Sequence, residues 1–164
     1  MSEIAPLNPE LLLETLSRHK VNFVLIGALA ARLHGFPRLT ADADITPASD
    51  KPNLERLVAA LKELDARVYT ESVPEGLAFD LSATAIAQAR MWNLVTKAGR
   101  LDIAFEPAGV QGYDDLKKGA ERFEAFGVRF LVASLDDIIR SKEAAGRPKD
   151  MDDVAILRAM KRIK

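Results

Sequence analysis

Between Leu25 and Ile45 the chain reads L-I-G-A-L-A-A-R-L-H-G-F-P-R-L-T-A-D-A-D-I, and the alternation that closes this stretch constrains the fold more than any other feature. If Leu39 to Ile45 is extended, successive side chains point to opposite faces, so Ala43 and Ile45 turn to one side and Asp42 and Asp44 to the other. Their Cα atoms then stand roughly 6.5 Å apart. Such a strand needs a core under one face and a chemical reason for two acids on the other. Just upstream, Val21 to Ile26 is an apolar strand run, and Gly27 opens a short helix to His34 that Gly35 and Pro37 end. A helix start offers unpaired N–H groups and a partial positive charge, which favour a phosphate without any particular side chain. A phosphate cradle thus lies beside paired carboxylates, which suit divalent ions spaced about 3.5–4 Å apart.

A third acid stands at Asp102 in R-L-D-I-A-F, where Leu101, Ile103 and Phe105 alternate with Asp102 and Ala104. That pattern predicts a half-buried strand with a lone acid on its less apolar face.

Glycine-led helix, D-x-D strand and distal Asp, in this order, resemble the nucleotidyltransferase superfamily with the polymerase-beta-like fold. The segment L-D-D-I-I-R-S-K-E-A-A-G-R-P-K-D-M-D-D-V-A-I-L extends the likeness to small bacterial nucleotidyltransferases, including the toxins of AbiE-type toxin–antitoxin systems. There a Lys on one helix and a D-x-x-D at the start of the next complete the site; by position these are Lys142, Asp150 and Asp153. The matching blocks span residues 21–46, 100–107 and 134–157. The family's glycine is usually followed by Gly or Ser. Here Ala28 follows Gly27, so backbone amides alone serve at that point.

The resemblance implies an α+β (α/β) fold of polymerase-beta type, a mixed sheet flanked by helices with further helices at the C-terminus. Residues 1–164 read as one domain, with a core at about 21–132 and a helical part at about 134–164. It also implies a catalytic set of Asp42, Asp44, Asp102 and Lys142. Two Mg²⁺ ions, or Mn²⁺, would sit on Asp42, Asp44 and Asp102. The nucleotide would lie against Gly27, Ala28, Arg38, Thr40, Asp150 and Asp153. Asp102 would take the proton of an acceptor hydroxyl attacking the α-phosphorus of an NTP. The acceptor class stays open between RNA or tRNA, a protein, and a small molecule such as an aminoglycoside. A cognate antitoxin or other partner protein is a further expectation, and a lapsed nucleotide-binding or regulatory module is the alternative.

Several of these residues have a second reading. Acids in the first turn of a helix complement its dipole, which accounts for Asp150 and Asp153 without a site, and Asp153 can pair with Lys149 at i, i+4. Lys142 at mid-helix and Arg38 in a turn can both be solvated. His19 and His34 lack a partner at ligand spacing, so neither reads as a metal ligand. Met91 and Trp92 suit a packed strand.

Composition sets the outer bounds. A chain of 164 residues with 48% hydrophobic content can bury about 70% of its unfolded surface. The net charge is −1. Between Arg140 and Lys164, however, eight Lys or Arg face four Asp or Glu, a local +4 that favours a polyanionic partner. There is no cysteine, hence no disulfide framework or thiolate site. No stretch approaches the roughly 18 apolar residues of a membrane span, and the N-terminus lacks a basic region followed by an apolar run. A cytoplasmic protein without membrane contact is the expectation.

The remaining elements follow from local signals. Asn8 with Pro9 caps a helix over Glu10 to Ser17. Leu54, Leu57, Val58 and Leu61 mark an amphipathic helix from Pro52 to Leu64. Met91 to Thr96 and Leu101 to Phe105 read as a hairpin around Lys97 to Arg100, with Gly99 supplying a positive φ. Glu121 to Phe126 and Val128 to Val132 form a second strand pair hinged at Gly127. Ser134 with Asp137 resembles a capping box opening a helix to about Ala145, stopped by Gly146, and Pro148 starts the last helix. Residues 68–89 carry no readable pattern.

Overall fold

The computed structural model describes residues 4–163. Helix α1 (Pro9–Arg18) starts where Asn8 Oδ1 accepts from the Leu11 amide at 3.1 Å. Strand β1 (Phe23–Ile26) runs straight into α2 (Gly27–Leu33), and β2 (Asp42–Pro47) follows. Helix α3 (Lys51–Glu63) is capped by Asp50, and β3 (Arg67–Val68) and α4 (Ala83–Ile86) come next. The hairpin β4 (Met91–Thr96) and β5 (Gly99–Ala104) leads to α5 (Tyr113–Gly119). A second hairpin, β6 (Glu121–Ala125) and β7 (Val128–Val132), precedes α6 (Leu135–Ala145) and α7 (Pro148–Ile163).

The strands form one seven-stranded sheet in the order β3-β4-β5-β2-β1-β7-β6. The β1/β7 and β2/β5 pairs are parallel and the others antiparallel, so the sheet is mixed, as expected. Alternation along β2 and β5 sorts the faces. Ala43, Ile45, Leu101 and Ile103 are fully buried and join one apolar cluster with Leu12, Leu16, Leu57 and Leu61. Shortening one of these leucines or isoleucines to Ala costs about 2–5 kcal/mol. The opposite face carries the acids.

Some local expectations shift by a residue or two. The β4–β5 loop is only Lys97-Ala98, because Gly99 already pairs with Thr96 across the ladder. Gly99 does have a positive φ, +97°, and needs to lack a side chain for a further reason. The Asn8 amide donates to Ala98 O at 2.8 Å, so the segment before α1 crosses the turn, and a Cβ on Gly99 would stand 2.7 Å from Leu7 Cα. At the second hairpin, Phe126 and Gly127 both have positive φ, +55° and +76°, the mark of a type I′ turn. Ser134 caps α6 by accepting from the Asp137 amide at 3.1 Å, while the Asp137 carboxylate engages Arg140 at 3.1 Å.

Two polar side chains fasten the layers. Buried Asn53 donates to Ala48 O at 2.7 Å and Asn22 O at 3.0 Å, and accepts from the Asn22 amide at 2.7 Å. His34, capping α2, lies 2.8 Å from Ala133 O and 3.3 Å from Glu121, edge-on to Phe123. Within residues 68–89, Trp92 organises the chain: its indole donates to Ile86 O at 2.9 Å and stacks on Phe79. Among the described residues, no helix is long and apolar enough to cross a membrane.

Candidate active site

Parallel pairing of β2 with β5 sets Asp44 directly opposite Asp102 and Asp42 opposite Arg100. Antiparallel pairing of β1 with β2 sets Ile26 opposite Asp44, so Gly27 begins α2 right beside that carboxylate. Gly27 has φ +71°. A Cβ there would overlap the Asp44 carboxylate and stand 3.1 Å from Asp44 Cβ. Only glycine fits both the backbone angle and the close approach. The Ile26 side chain offers no cap to α2, which leaves the amides at the helix start without a side-chain acceptor.

Drawn together and buried, Asp44 and Asp102 hold their protons more tightly than free carboxyls do. Burial, then the charges of Asp102 and Asp42, push Asp44 up to about 7. Burial and Asp42 likewise push Asp102 up, while Arg100 pulls it down. Oδ1 of Asp102 is buried with no hydrogen-bond donor. Thr40 braces this end of β2, donating from Oγ1 to Asp42 O at 2.9 Å and accepting from the Asp42 amide at 3.3 Å.

A cationic roof lies over the acids. Gly146 ends α6 in the left-handed region, φ +66°, and Pro148 starts α7 two residues later. This tight corner swings Lys142, in the last turn of α6, against the first turns of α7. Lys142 Nζ lies 3.1 Å from Asp153 and 3.9 Å from Asp150. Arg147 binds Asp150 through Nε at 2.7 Å and a terminal nitrogen at 3.2 Å, which holds the Asp150 carboxyl below the usual carboxylate range. Arg38 reaches Asp153 Oδ1 at 3.0 Å, a charge contact without the alignment of a hydrogen bond, since that oxygen has no aligned donor. Asp150 and Asp153 are 1% and 2% exposed. Their role in the structure is to hold three cations around the cleft.

Gly27, Ala28, Arg38, Thr40, Asp42, Asp44, Asp102, Lys142, Asp150 and Asp153 all line one cleft of about 670 Å³. A larger depression of about 810 Å³, by Pro47 and Glu106 at the other strand ends, contains none of them. The sequence gives no sign of Arg147, which also lines the cleft, because it sits between Gly146 and Pro148 in a turn; Lys149 lines the cleft too, and Asp153 meets Lys142 and Arg38 rather than the i, i+4 partner Lys149. Arg100 and Tyr69, at the edge of the acids, went unnoticed for lack of any local pattern.

Among the described residues no set of three or more acids or imidazoles closes into a finished metal site. The open trio nevertheless fits a divalent cation. Its donors are hard oxygens, one buried oxygen lacks a donor, and the burial and acid repulsion that raise Asp44 are what a positive ion offsets.

A family model described as a nucleotidyltransferase of unknown function, DUF6036, matches residues 8–164. Among solved structures, the lincosamide antibiotic adenylyltransferase LnuA with lincomycin bound is similar at a TM-score of 0.58 and 14% identity, over 94% of this chain and 99% of that one. A structure from Thermotoga maritima described provisionally as a nucleotidyltransferase, TM1012, is similar at a TM-score of 0.50 and 18% identity, over 93% of this chain and 89% of that one. At these identities the likeness is one of fold. No curated protein matches the chain.

Proposed function

The chain belongs to the DUF6036 nucleotidyltransferase family, and on that premise we propose that it moves a nucleoside monophosphate from a nucleoside triphosphate to an acceptor hydroxyl. The observation that carries the reading is the register: Asp44 opposite Asp102, with Asp42 one step along and Gly27 pressed against Asp44. Three acids and a bare helix start share one cleft with four cations, Arg38, Lys142, Arg147 and Lys149.

The residues divide the work. Lys142, Arg38 and Arg147 offset the charge of the triphosphate tail and of the departing pyrophosphate. The amides after Gly27 donate to phosphate oxygens from the floor. Asp102, with one oxygen free of donors, accepts the proton of the acceptor hydroxyl as its oxygen bonds to the α-phosphorus and the bond to pyrophosphate breaks. Asp42, Asp44 and Asp102 would hold one or two divalent ions, Mg²⁺ or Mn²⁺, whose chemistry is to neutralise phosphate charge and to lower the pKa of the attacking hydroxyl.

The resemblance of residues 134–157 to AbiE-type toxins supports a setting for the same chemistry: a cytoplasmic toxin restrained by an antitoxin protein. Growth arrest on expression that Asp42→Ala relieves is the result expected from that setting.

The direct test incubates the protein and Asp42→Ala with each α-labelled nucleoside triphosphate, Mg²⁺, total RNA and cell extract. Label on a product only with the intact Asp42 is the expected result. Metal-dependent triphosphate binding without transfer would instead favour the lapsed binding module.

A further inference from the structure

Resting on that reading, the sheet order assigns sides to the two substrates. Gly27 follows β1 on one side of the acids, and α2 packs on β1, β2 and α6 there. On the other side lie β5, β4 and β3. The triphosphate belongs under the roof. The acceptor therefore approaches Asp102 across β5 and β4.

Arg100 is the cation on that side that lies beside the acids. Arg100 shares a face with Asp102, two residues along β5, and registers with Asp42. Its guanidinium carbon lies over the Tyr69 ring, 4.0 Å from the centroid. Its terminal nitrogen is 3.9 Å from Asp42, beyond hydrogen-bond reach, and its Nε is buried without an acceptor. Lys142 and Arg147, by contrast, are held in short contacts with Asp153 and Asp150. A guanidinium held in place by an aromatic ring next to the acids, its side chain 28% exposed and in no short ion pair, is set to receive an anion through its terminal nitrogens. Arginine's planar fork matches the oxygens of a phosphate.

We propose that Arg100, braced by Tyr69, is the acceptor-recognising residue, and that the acceptor carries a phosphate group beside the hydroxyl that Asp102 deprotonates. The phosphate can belong to an RNA strand or to a small phosphorylated sugar.

Equilibrium binding to the full chain separates these cases. The probes are a labelled ten-nucleotide single-stranded RNA, ribose 5-phosphate with ribose as its phosphate-free control, and inorganic triphosphate for the donor side. Arg100→Gln is expected to weaken the RNA or the sugar phosphate at least tenfold and to leave inorganic triphosphate within twofold. Arg100→Lys should recover part of the loss, and Tyr69→Leu should lose about threefold. Whichever probe shows the Arg100 dependence names the phosphate's source. Unchanged binding of both acceptor probes in Arg100→Gln overturns the proposal, as does a wild-type chain that binds neither. So does an equal loss for inorganic triphosphate, which would move Arg100 to the donor side. Should Arg100→Gln fail to fold, Arg100→Lys and Tyr69→Leu are read by the same criteria. Failure of the transfer reading looks different: no triphosphate binding and no labelled product.

Discussion

The two flanks of the acid trio are built on opposite plans. On the α6/α7 side three cations meet carboxylates: Lys142 between Asp150 and Asp153, Arg147 on Asp150, Arg38 on Asp153. On the β5/β4 side, Arg100 rests on an aromatic ring with a donor unspent. The roof is preorganised, so its charges need little rearrangement when a triphosphate arrives. The other flank keeps its binding capacity in reserve. A protein that must hold one constant substrate and choose another is expected to differ in this way.

The largest effect to be expected on this division is at the acids themselves. Asp42→Ala should lower transfer by about a thousandfold, the roughly 4 kcal/mol that a lost ion-holding charge is worth, measured as single-turnover label transfer. Residual transfer within tenfold of wild type would place the chemistry elsewhere. Gly27→Ala comes next. Its Cβ forces the Asp44 carboxylate aside, and φ +71° is strained for alanine. A loss of about a hundredfold in transfer is expected, with a stability cost of about 1–2 kcal/mol read from urea unfolding.

The roof and the open flank should then separate in stability. Lys142→Met removes the cation between two acids that are 1% and 2% exposed. That should cost about 2 kcal/mol, because Asp153 loses its aligned donor and keeps only the Arg38 charge contact, while Asp150 keeps Arg147. Arg100→Gln loses the Tyr69 contact and a 3.9 Å charge contact with Asp42 but no short ion pair, and should cost about 0.5–1 kcal/mol. Equal melting shifts for the two variants would erase the distinction between the flanks.

How much of this was legible in the sequence depended on range. The alternation at Asp42 to Ile45 named the face, since strand period two is local, and Ala43 and Ile45 are indeed fully buried. That Asp44 faces Asp102 was not readable, because parallel pairing of β2 with β5 joins strands far apart in the chain. Alternation in R-L-D-I-A-F picked out the third acid, resemblance tied it to the other two, and the register then gave it a place. Asn53 was invisible for a similar reason: it lies on the apolar side of α3, and its partners Asn22 and Ala48 are loop backbone. The short elements α4 and α5 span too few residues for a period to emerge. Tyr69 lies in the patternless stretch, and the pairing of β3 with β4, continued by the hydrogen bond from its amide to Asn93 O at 2.8 Å, sets it where its ring meets Arg100. The roof came through as a motif, Lys142 with D-x-x-D, but its internal pairing did not. First-turn acids suggest a helix dipole or a ligand, and the structure gives them cations to hold.

The smallest effect is also the one with a sign that depends on pH. Asp44 ionises at about 7 in the folded chain against about 4 when unfolded. The native state therefore holds a proton that the unfolded state has released, and stability falls as pH rises through that window. Below pH 4 both states are protonated and there is no penalty; above pH 7 it is complete. Asp44→Asn removes the charge while keeping the shape. It should leave the melting temperature nearly unchanged at pH 4 and raise it at pH 8, by the equivalent of about 1–3 kcal/mol after allowing for partial solvation of the carboxylate. Added divalent cation at pH 8 should stabilise the wild type and not the variant, since an ion that binds the native state competes with the proton for the same oxygens. A variant that gains equally at both pH values would show that Asp44 is strained by packing against Gly27 rather than by charge. The site's metal affinity would then owe nothing to the repulsion between its acids.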